Sequence, residues 1–278
     1  MIMLEQIKFI DNTAAILIKK DQERILIVAD LHLGIESSQN GLNIPSQTSF
    51  ITNEIIELIK EIEASELILL GDIKHSIPQI APKEWINIPK FFKKIAEIVP
   101  ISIIRGNHDG DIDALIPNTI KIYKDLVLNI NRHKIGMMHG HMMIPLSFFQ
   151  TDTIIVGHTH PAIEFRDDLG IKSYKNVWIR AKWDKRKIAK AYLQFRNIKL
   201  QKNPVFQFQK KFNLNIEDPD IIVMPVFNKF VKGYPINYNS VKLLGPIFQS
   251  GAIKLNEAEI ILLDGTYLGK LGELMIWK

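Results

Sequence analysis

Eight histidines punctuate this chain, and most of them stand in short blocks that also hold aspartate, asparagine and glycine. The blocks read Asp30-Leu31-His32, Gly71-Asp72, Gly106-Asn107-His108-Asp109, His139-Gly140-His141 and Gly157-His158-Thr159-His160. Carboxylate, amide and imidazole groups are ligands for hard-to-borderline divalent cations. There is no cysteine, so any metal must be held by His, Asp, Glu or Asn. Two such ions sharing one carboxylate lie about 3.5–4 Å apart. At a phosphate ester, a pair of this kind neutralises the non-bridging oxygens, lowers the pKa of a bound water and aligns that water for in-line attack. Asp72, alone after Leu69-Leu70-Gly71, is the candidate for the shared carboxylate. The glycines at 71, 106 and 157 let the backbone turn and approach the ions closely.

The elements that must carry these blocks are legible just before them. Ile25–Ala29, Leu67–Leu70, Ile101–Ile104, Ile135–Met138 and Ile154–Val156 are compact runs rich in Ile and Val, each followed abruptly by polar residues. Each has the length of a buried strand presenting ligands at its carboxyl end. Strands at Ala14–Lys19 and Arg24–Ala29 flank a Lys20-Asp21-Gln22-Glu23 turn. A helix opened by Pro45-Ser46 places Phe50, Ile51, Ile55, Ile56, Leu58, Ile59 and Ile62 at helical spacing, and a second runs from Pro82 or Lys83 to about Val99. The order to residue 104 is therefore that of βαβ units. Beyond it, short strands become frequent: Ile120–Tyr123, Leu126–Ile130, Lys134–Met138, Thr153–Val156, Ala162–Arg166, Ile221–Val226, Ile260–Leu263 and Tyr267–Leu271, the last pair joined at Asp264-Gly265. The expected fold class is α/β, two packed sheets forming a sandwich flanked by helices.

Composition sets the outer bounds. The 278 residues are 46% hydrophobic and 23% charged, ordinary for a globular protein. No apolar stretch reaches the ~18 residues that a membrane span needs, and Met1–Ile10 lacks a signal-peptide layout, so the expected location is cytoplasmic. The net charge is +5 and the pI about 9.1. Thirteen Lys and Arg residues fall between Lys172 and Lys211 against one acid, Asp184. Tyr174, Trp178, Trp183, Tyr192, Phe195, Phe206 and Phe208 are interleaved with them. Basic side chains with interleaved aromatics suit a single- or double-stranded nucleic acid. The same pattern also suits an amphipathic element with aromatics inside and lysines in water, and a chain rich in Ile, Lys and Asn throughout.

The five blocks, in this order, resemble the calcineurin-like metallophosphoesterase superfamily, whose pattern is DxH, GD, GNH(D/E), a lone His and GHxH. Asp30-Leu-His-Leu-Gly-Ile-Glu36, Gly71-Asp-Ile-Lys-His75, His139-Gly-His141 and Gly157-His-Thr-His-Pro161 look like its ICC-like, SbcD-related archaeal and bacterial phosphoesterases. Val223-Met-Pro-Val-Phe-Asn228 and Leu263-Asp-Gly-Thr-Tyr-Leu-Gly269 extend that likeness into the tail. The resemblance implies the four-layer fold of the superfamily as one domain over residues 1–278. Its metal motifs would span 30–160, and the basic, strand-rich part 166–278 would complete the second sheet. It implies hydrolysis of phosphate esters, phosphodiesters of nucleic acid or nucleotides first. Small phosphomonoesters, cyclic nucleotides and a non-catalytic role beside a DNA-processing partner remain open.

By this analogy Asp30, His32, Asp72 and His160 hold one ion, and Asp72, Asn107, His139 and His158 the other. Manganese leads, with iron, zinc, cobalt and nickel open. His108 stabilises the transition state and protonates the leaving oxygen, with Asp109 orienting its ring. A homodimer, a DNA ligase and a helicase are the partners that the resemblance suggests. His75, Arg105 and His141 are further candidates for contact with substrate. For each a plainer reading stays open: a loop histidine at 75, a sheet-edge salt bridge at Arg105, a residue behind the ligands at His141. Asp111 and Asp113 read as solvated caps of a short helix, His133 as an exposed turn residue, and Met137-Met138 as core.

Overall fold

A computed structural model describes residues 6–38, 46–238 and 243–276, so Met1–Glu5 and the helix opener expected at Pro45 lie outside the described residues. Two compact units emerge: Met1–Lys124 with Val226–Lys232, and Asp125–Pro225 with Gly233–Lys278. The architecture is mixed α/β, with two multi-stranded sheets and helices flanking them. No described helix is long and apolar enough to cross a membrane.

The first unit holds a six-stranded sheet in chain order: β1 (Ile7–Phe9), β2 (Ala15–Lys20), β3 (Glu23–Val28), β4 (Glu66–Leu70), β5 (Ile101–Ile104) and β6 (Lys121–Tyr123). β1 to β3 form an antiparallel meander, and β3 to β6 run parallel. Helix α1 (Thr48–Glu61) connects β3 to β4, and α2 (Pro82–Ala96) connects β4 to β5. Both helices are amphipathic as their spacing demands. α1 buries Ile51, Ile55, Leu58 and Ile59, and α2 buries Ile88, Phe91, Phe92 and Ile95. The ends of β3, β4 and β5 are wholly buried, which explains their unbroken apolar sequences.

The second unit holds a nine-stranded sheet. Its strands are β7 (Leu126–Ile130), β8 (His133–Met138), β9 (Thr153–Val156), β10 (Pro161–Arg166), β11 (Lys172–Ala181), β12 (Asp220–Val223), β13 (Tyr234–Pro235), β14 (Glu259–Leu262) and β15 (Tyr267–Lys270). The main path is β13-β10-β11-β12-β9-β8-β7, with β14 between β11 and β15 off that path. β8, β9 and β12 are mutually parallel. The core gathers Phe148, Phe149, Trp183, Tyr192 and Phe208 against the sheet.

The basic segment resolves into three elements, of which the helices match the reading of an amphipathic element with aromatics inside and lysines in water. They are β11, α3 (Lys185–Phe195) and α4 (Pro204–Phe212). Asp184 caps α3, its carboxylate accepting from the amides of Arg186 and Lys187 at 2.8 and 2.9 Å. Trp178, Trp183, Tyr192 and Phe208 are core residues, so the expectation of interleaved aromatics open to bases is corrected for these four. Tyr174, Phe195 and Phe206 are exposed. His133 is corrected as well: it opens β8, is half-buried, and its Nε2 lies 2.9 Å from Thr153 Oγ1.

Candidate metal centre

In the first unit the parallel strands β3, β4 and β5 end side by side, so the three motif loops they release share one sheet edge. The pairing of β3 with β4 continues into those loops. The amide of Asp30 donates to Gly71 O at 3.0 Å, that of His32 to Asp72 O at 2.9 Å, and that of Leu33 to Ile73 O at 2.7 Å. Asp30, His32 and Asp72 all have positive φ, at 60°, 42° and 51°. A non-glycine residue held there stores about 1–3 kcal/mol, strain that recurs at functional sites.

Asp72 is buried and its two oxygens face different neighbours. Oδ1 accepts from the His108 amide at 2.9 Å. Oδ2 lies 3.8 Å from Nε2 of both His32 and His108. Ring-nitrogen donors of His32, His75 and His108 lie within 4.8 Å of one another. Asn107 is exposed in the turn beside them. Gly106 is required by close approach: a Cβ there would stand 2.2 Å from the Asp72 amide nitrogen and 2.3 Å from its Oδ1.

His108 Nδ1 meets the carbonyl oxygen of His75 at 2.6 Å, so this carbonyl fixes the ring. The expected role of Asp109 is corrected accordingly. Its Oδ1 accepts from the amides of Ile73 and Lys74 at 2.9 and 3.3 Å, and its Oδ2 from the amide of Gly106 at 2.9 Å. Fully buried, Asp109 staples the Gly71-Asp72 loop to the Gly106 loop. The His75 ring lies 5.9 Å from that of His108, nearly parallel, and 5.5 Å from that of His32, edge-on. Burial holds the His75 imidazole below its ordinary pKa, and the neighbouring His108 adds to the effect.

Arg105 takes its salt-bridge reading. Its guanidinium donates to the carbonyls of Asp109 and Gly110 at 3.2 and 2.9 Å and to Asp113 at 2.6 Å. Asp111 and Asp113 do stand at the cap and in the first turn of a short helix, Ile112–Leu115, and reach solvent, but Asp111 makes no capping bond and each also pairs with a cation. Asp111 lies 3.0 Å from the ammonium of Lys74, which is wholly buried and also donates to Ser76 O.

Two supporting residues escaped the sequence reading. Glu84, buried at the start of α2, accepts from the amides of His75 at 3.1 Å, Ser76 at 2.8 Å and Ala81 at 2.8 Å. A glutamate in the third position of a helix that opens with proline was its signal. Asn228, also buried, donates to Leu31 O at 2.7 Å, inside the Asp30-Leu31-His32 loop. Its signal was a lone amide closing the apolar run Val223-Met-Pro-Val-Phe.

In the second unit the parallel strands β8 and β9 release the other two loops from one edge. The rings of His139, His141 and His158 cluster, with centroids 5.0 Å apart for 139–158, 5.5 Å for 139–141 and 6.2 Å for 141–158. His158 and His160 have positive φ, at 72° and 44°. The Gly157 amide donates to His139 O at 2.9 Å, and the Tyr234 amide to His160 O at 2.6 Å.

The donor set fits divalent cations. Asp30, His32, Asp72 and His139 are at most 4% exposed. Carboxylates and imidazoles are retained in so dry a setting where they are paired or bind metal. With no thiol available, the chemistry suits Mn, Fe, Zn, Co or Ni.

Comparison with known proteins agrees with this chemistry. Residues 24–179 match the sequence model of the calcineurin-like phosphoesterase superfamily domain. Phosphodiesterase YfcE of Escherichia coli K12 is 27% identical over 126 residues, covering 42% of this chain and 67% of that protein. The crystal structure of the Pseudomonas putida nuclease MPE aligns with a TM-score of 0.50 at 17% identity, covering 93% of this chain and 97% of that one. At that identity the likeness speaks for the fold.

Proposed function

The chain belongs to the calcineurin-like phosphoesterase superfamily, a family of metal-dependent hydrolases, and from that premise we propose that it cleaves phosphodiesters of nucleic acid or nucleotides with two divalent cations. Residues 1–278 act as one metallophosphoesterase domain in this reading. Asp30, His32, Asp72 and His160 take one ion. Asp72, Asn107, His139 and His158 take the other, with manganese the ion we favour. When bound, the ions supply positive charge that offsets the phosphate oxygens and makes a nucleophilic water more acidic.

The chain's own residues do the remaining work. His108, with Nδ1 held by the His75 carbonyl, points Nε2 toward Asp72 and donates a proton to the leaving oxygen. Asp109 and Glu84 hold the two loops that place it. The observation that carries the reading is the run of five motif blocks, each leaving the carboxyl end of a buried parallel strand. The basic character of 172–211 supports a polyanionic substrate. The burial of four of its seven aromatics favours the alternative, a small phosphomonoester or a cyclic nucleotide.

The test is a panel run with Mn²⁺: bis-p-nitrophenyl phosphate, p-nitrophenyl phosphate, single- and double-stranded DNA, and RNA. Diester cleavage exceeding monoester cleavage, lost in Asp72→Ala and His108→Ala, is expected. Unchanged rates in both variants would show that the assigned residues are not the site.

A further inference from the structure

Two charged depressions on the second unit invite comparison. One is lined by Arg180, Lys182 and Lys254 and by three carboxylates, Asp220, Glu257 and Glu259, so its charges balance. Arg180 pairs with both oxygens of Asp220 at 3.3 and 3.0 Å, and Lys182 lies 3.2 Å from the same carboxylate. The other is a groove of about 460 Å³ whose wall is the exposed face of α3. Lys187, Lys190, Ala191 and Gln194 recur there at three- and four-residue steps, opposite the buried stripe of Ile188, Ala189, Tyr192 and Leu193. Neither lysine pairs with a carboxylate among the described residues. Phe195, 56% exposed, continues the same face one turn beyond Ala191.

This groove is tied to the histidine cluster at both of its margins. Met143, on one side, stands two residues past His141, so at most about 7 Å of chain separates them. The Ser250-Gly251 turn, on the other side, follows the short helix α5 (Pro246–Gln249) directly. That helix begins at Gly245, which packs so closely on the loop that a Cβ would stand 2.4 Å from Gly140 O. A helix of this length spans about 6 Å. The lining is apolar at Met143 and Ala191 and cationic at Lys187 and Lys190, whose side chains are exposed. Residues 187 to 194 cover about 10 Å of helix. At the roughly 3.4 Å rise of a fully stacked strand that is room for about three nucleotides at most.

We propose that this groove is a subsite for the single-stranded nucleic acid that flanks the scissile phosphodiester. Its lysines neutralise backbone phosphates, and Phe195 with the apolar lining receives bases or sugars. This rests on the phosphodiesterase reading for what the strand is brought to, but its test does not.

The full chain, without added metal, is titrated against a short fluorescein-labelled oligonucleotide, as DNA and as RNA, over a range of salt. Anisotropy reports binding. K187E/K190E weakens binding roughly tenfold and lowers the slope of log K against log salt by about 1.4, two phosphates at ~0.7 each. K93E/K94E, which makes the same charge change on exposed positions of α2, leaves affinity within about twofold. Equal weakening by both pairs, or none by K187E/K190E, overturns the groove, and so does a duplex that outcompetes the single strand. With Mn²⁺ added, the ratio of kcat/KM for oligonucleotide to that for bis-p-nitrophenyl phosphate falls about tenfold in K187E/K190E. Wild type that binds as expected yet cleaves no diester refutes the catalytic reading and leaves the groove standing. Diester cleavage with no shift in binding does the reverse.

Discussion

The imidazole of His108 is held by a backbone carbonyl, that of His75, at 2.6 Å. A main-chain oxygen stays neutral, so this contact fixes the ring without supplying charge. The placement of the acid then depends on what holds residue 75. Glu84 holds its amide, and Lys74 reaches the carbonyl of Ser76 next to it.

Glu84→Gln is expected to damage that support without touching any proposed ligand. The two carboxylate oxygens accept three amides, and glutamine would turn an NH2 toward at least one of them. A buried amide left unsatisfied costs about 1–3 kcal/mol. Thermal unfolding should shift down accordingly. Mn²⁺-dependent diester turnover should fall mainly in kcat, because the ring moves while the ligands stay. A kcat equal to wild type would refute the positioning role.

Replacing His108 itself separates acid catalysis from metal binding. His108→Ala should lower kcat about 10²–10⁴-fold, the usual contribution of a positioned proton donor. Mn²⁺ uptake, followed by calorimetry, should keep its stoichiometry. Loss of an ion in this variant would make His108 a ligand and defeat the assignment.

Gly106→Ala tests the closest approach in the first unit. The new methyl would meet the Asp72 amide nitrogen at 2.2 Å and Oδ1 at 2.3 Å, and backbone cannot yield as a flexible side chain can. We expect a destabilisation of about 1–3 kcal/mol from overpacking, with loss of Mn²⁺-dependent activity. A variant as stable and active as wild type would mean that the Gly71 and Gly106 loops do not pack as described.

Much of this was legible in the residues themselves. Ile101–Ile104 is a strand at the bounds its apolar run suggested, because a strand buried between neighbours admits little else, and the edge strand Leu126–Ile130 also keeps the bounds of its run. β1 was too short to show a period. The basic segment was open to an amphipathic element, but the bounds of α3 and α4 were not read, because the stripe of Ile188, Tyr192 and Leu193 stands among lysines at helical spacing. Asp109 was read as a partner of His108 from the family resemblance alone. Its bonds to Ile73 and Lys74 join positions more than thirty residues apart, which spacing cannot reveal. Asn228 stood in a quoted motif, but its bond to Leu31 was hidden for the same reason, nearly two hundred residues lying between them.

The second unit carries a pH dependence of its own at Glu164. This carboxylate sits on β10, almost wholly buried. A hydrogen bond from the Tyr238 hydroxyl, then those from Arg166 and Tyr174, hold its pKa down from 4.5 to about 2. A group whose folded pKa lies below its unfolded value stabilises the fold above the unfolded value. That contribution fades as the pH falls from about 4.5 through about 2. Glu164→Gln removes the charge at every pH. The variant should therefore unfold at a lower temperature than wild type at pH 7, and the gap should close as both are acidified toward pH 2. The second unit's carboxylates otherwise titrate alike in the two proteins, so the difference between their melting curves isolates this group. A gap that persists unchanged at the acid end would trace the effect of the substitution to packing and not to charge.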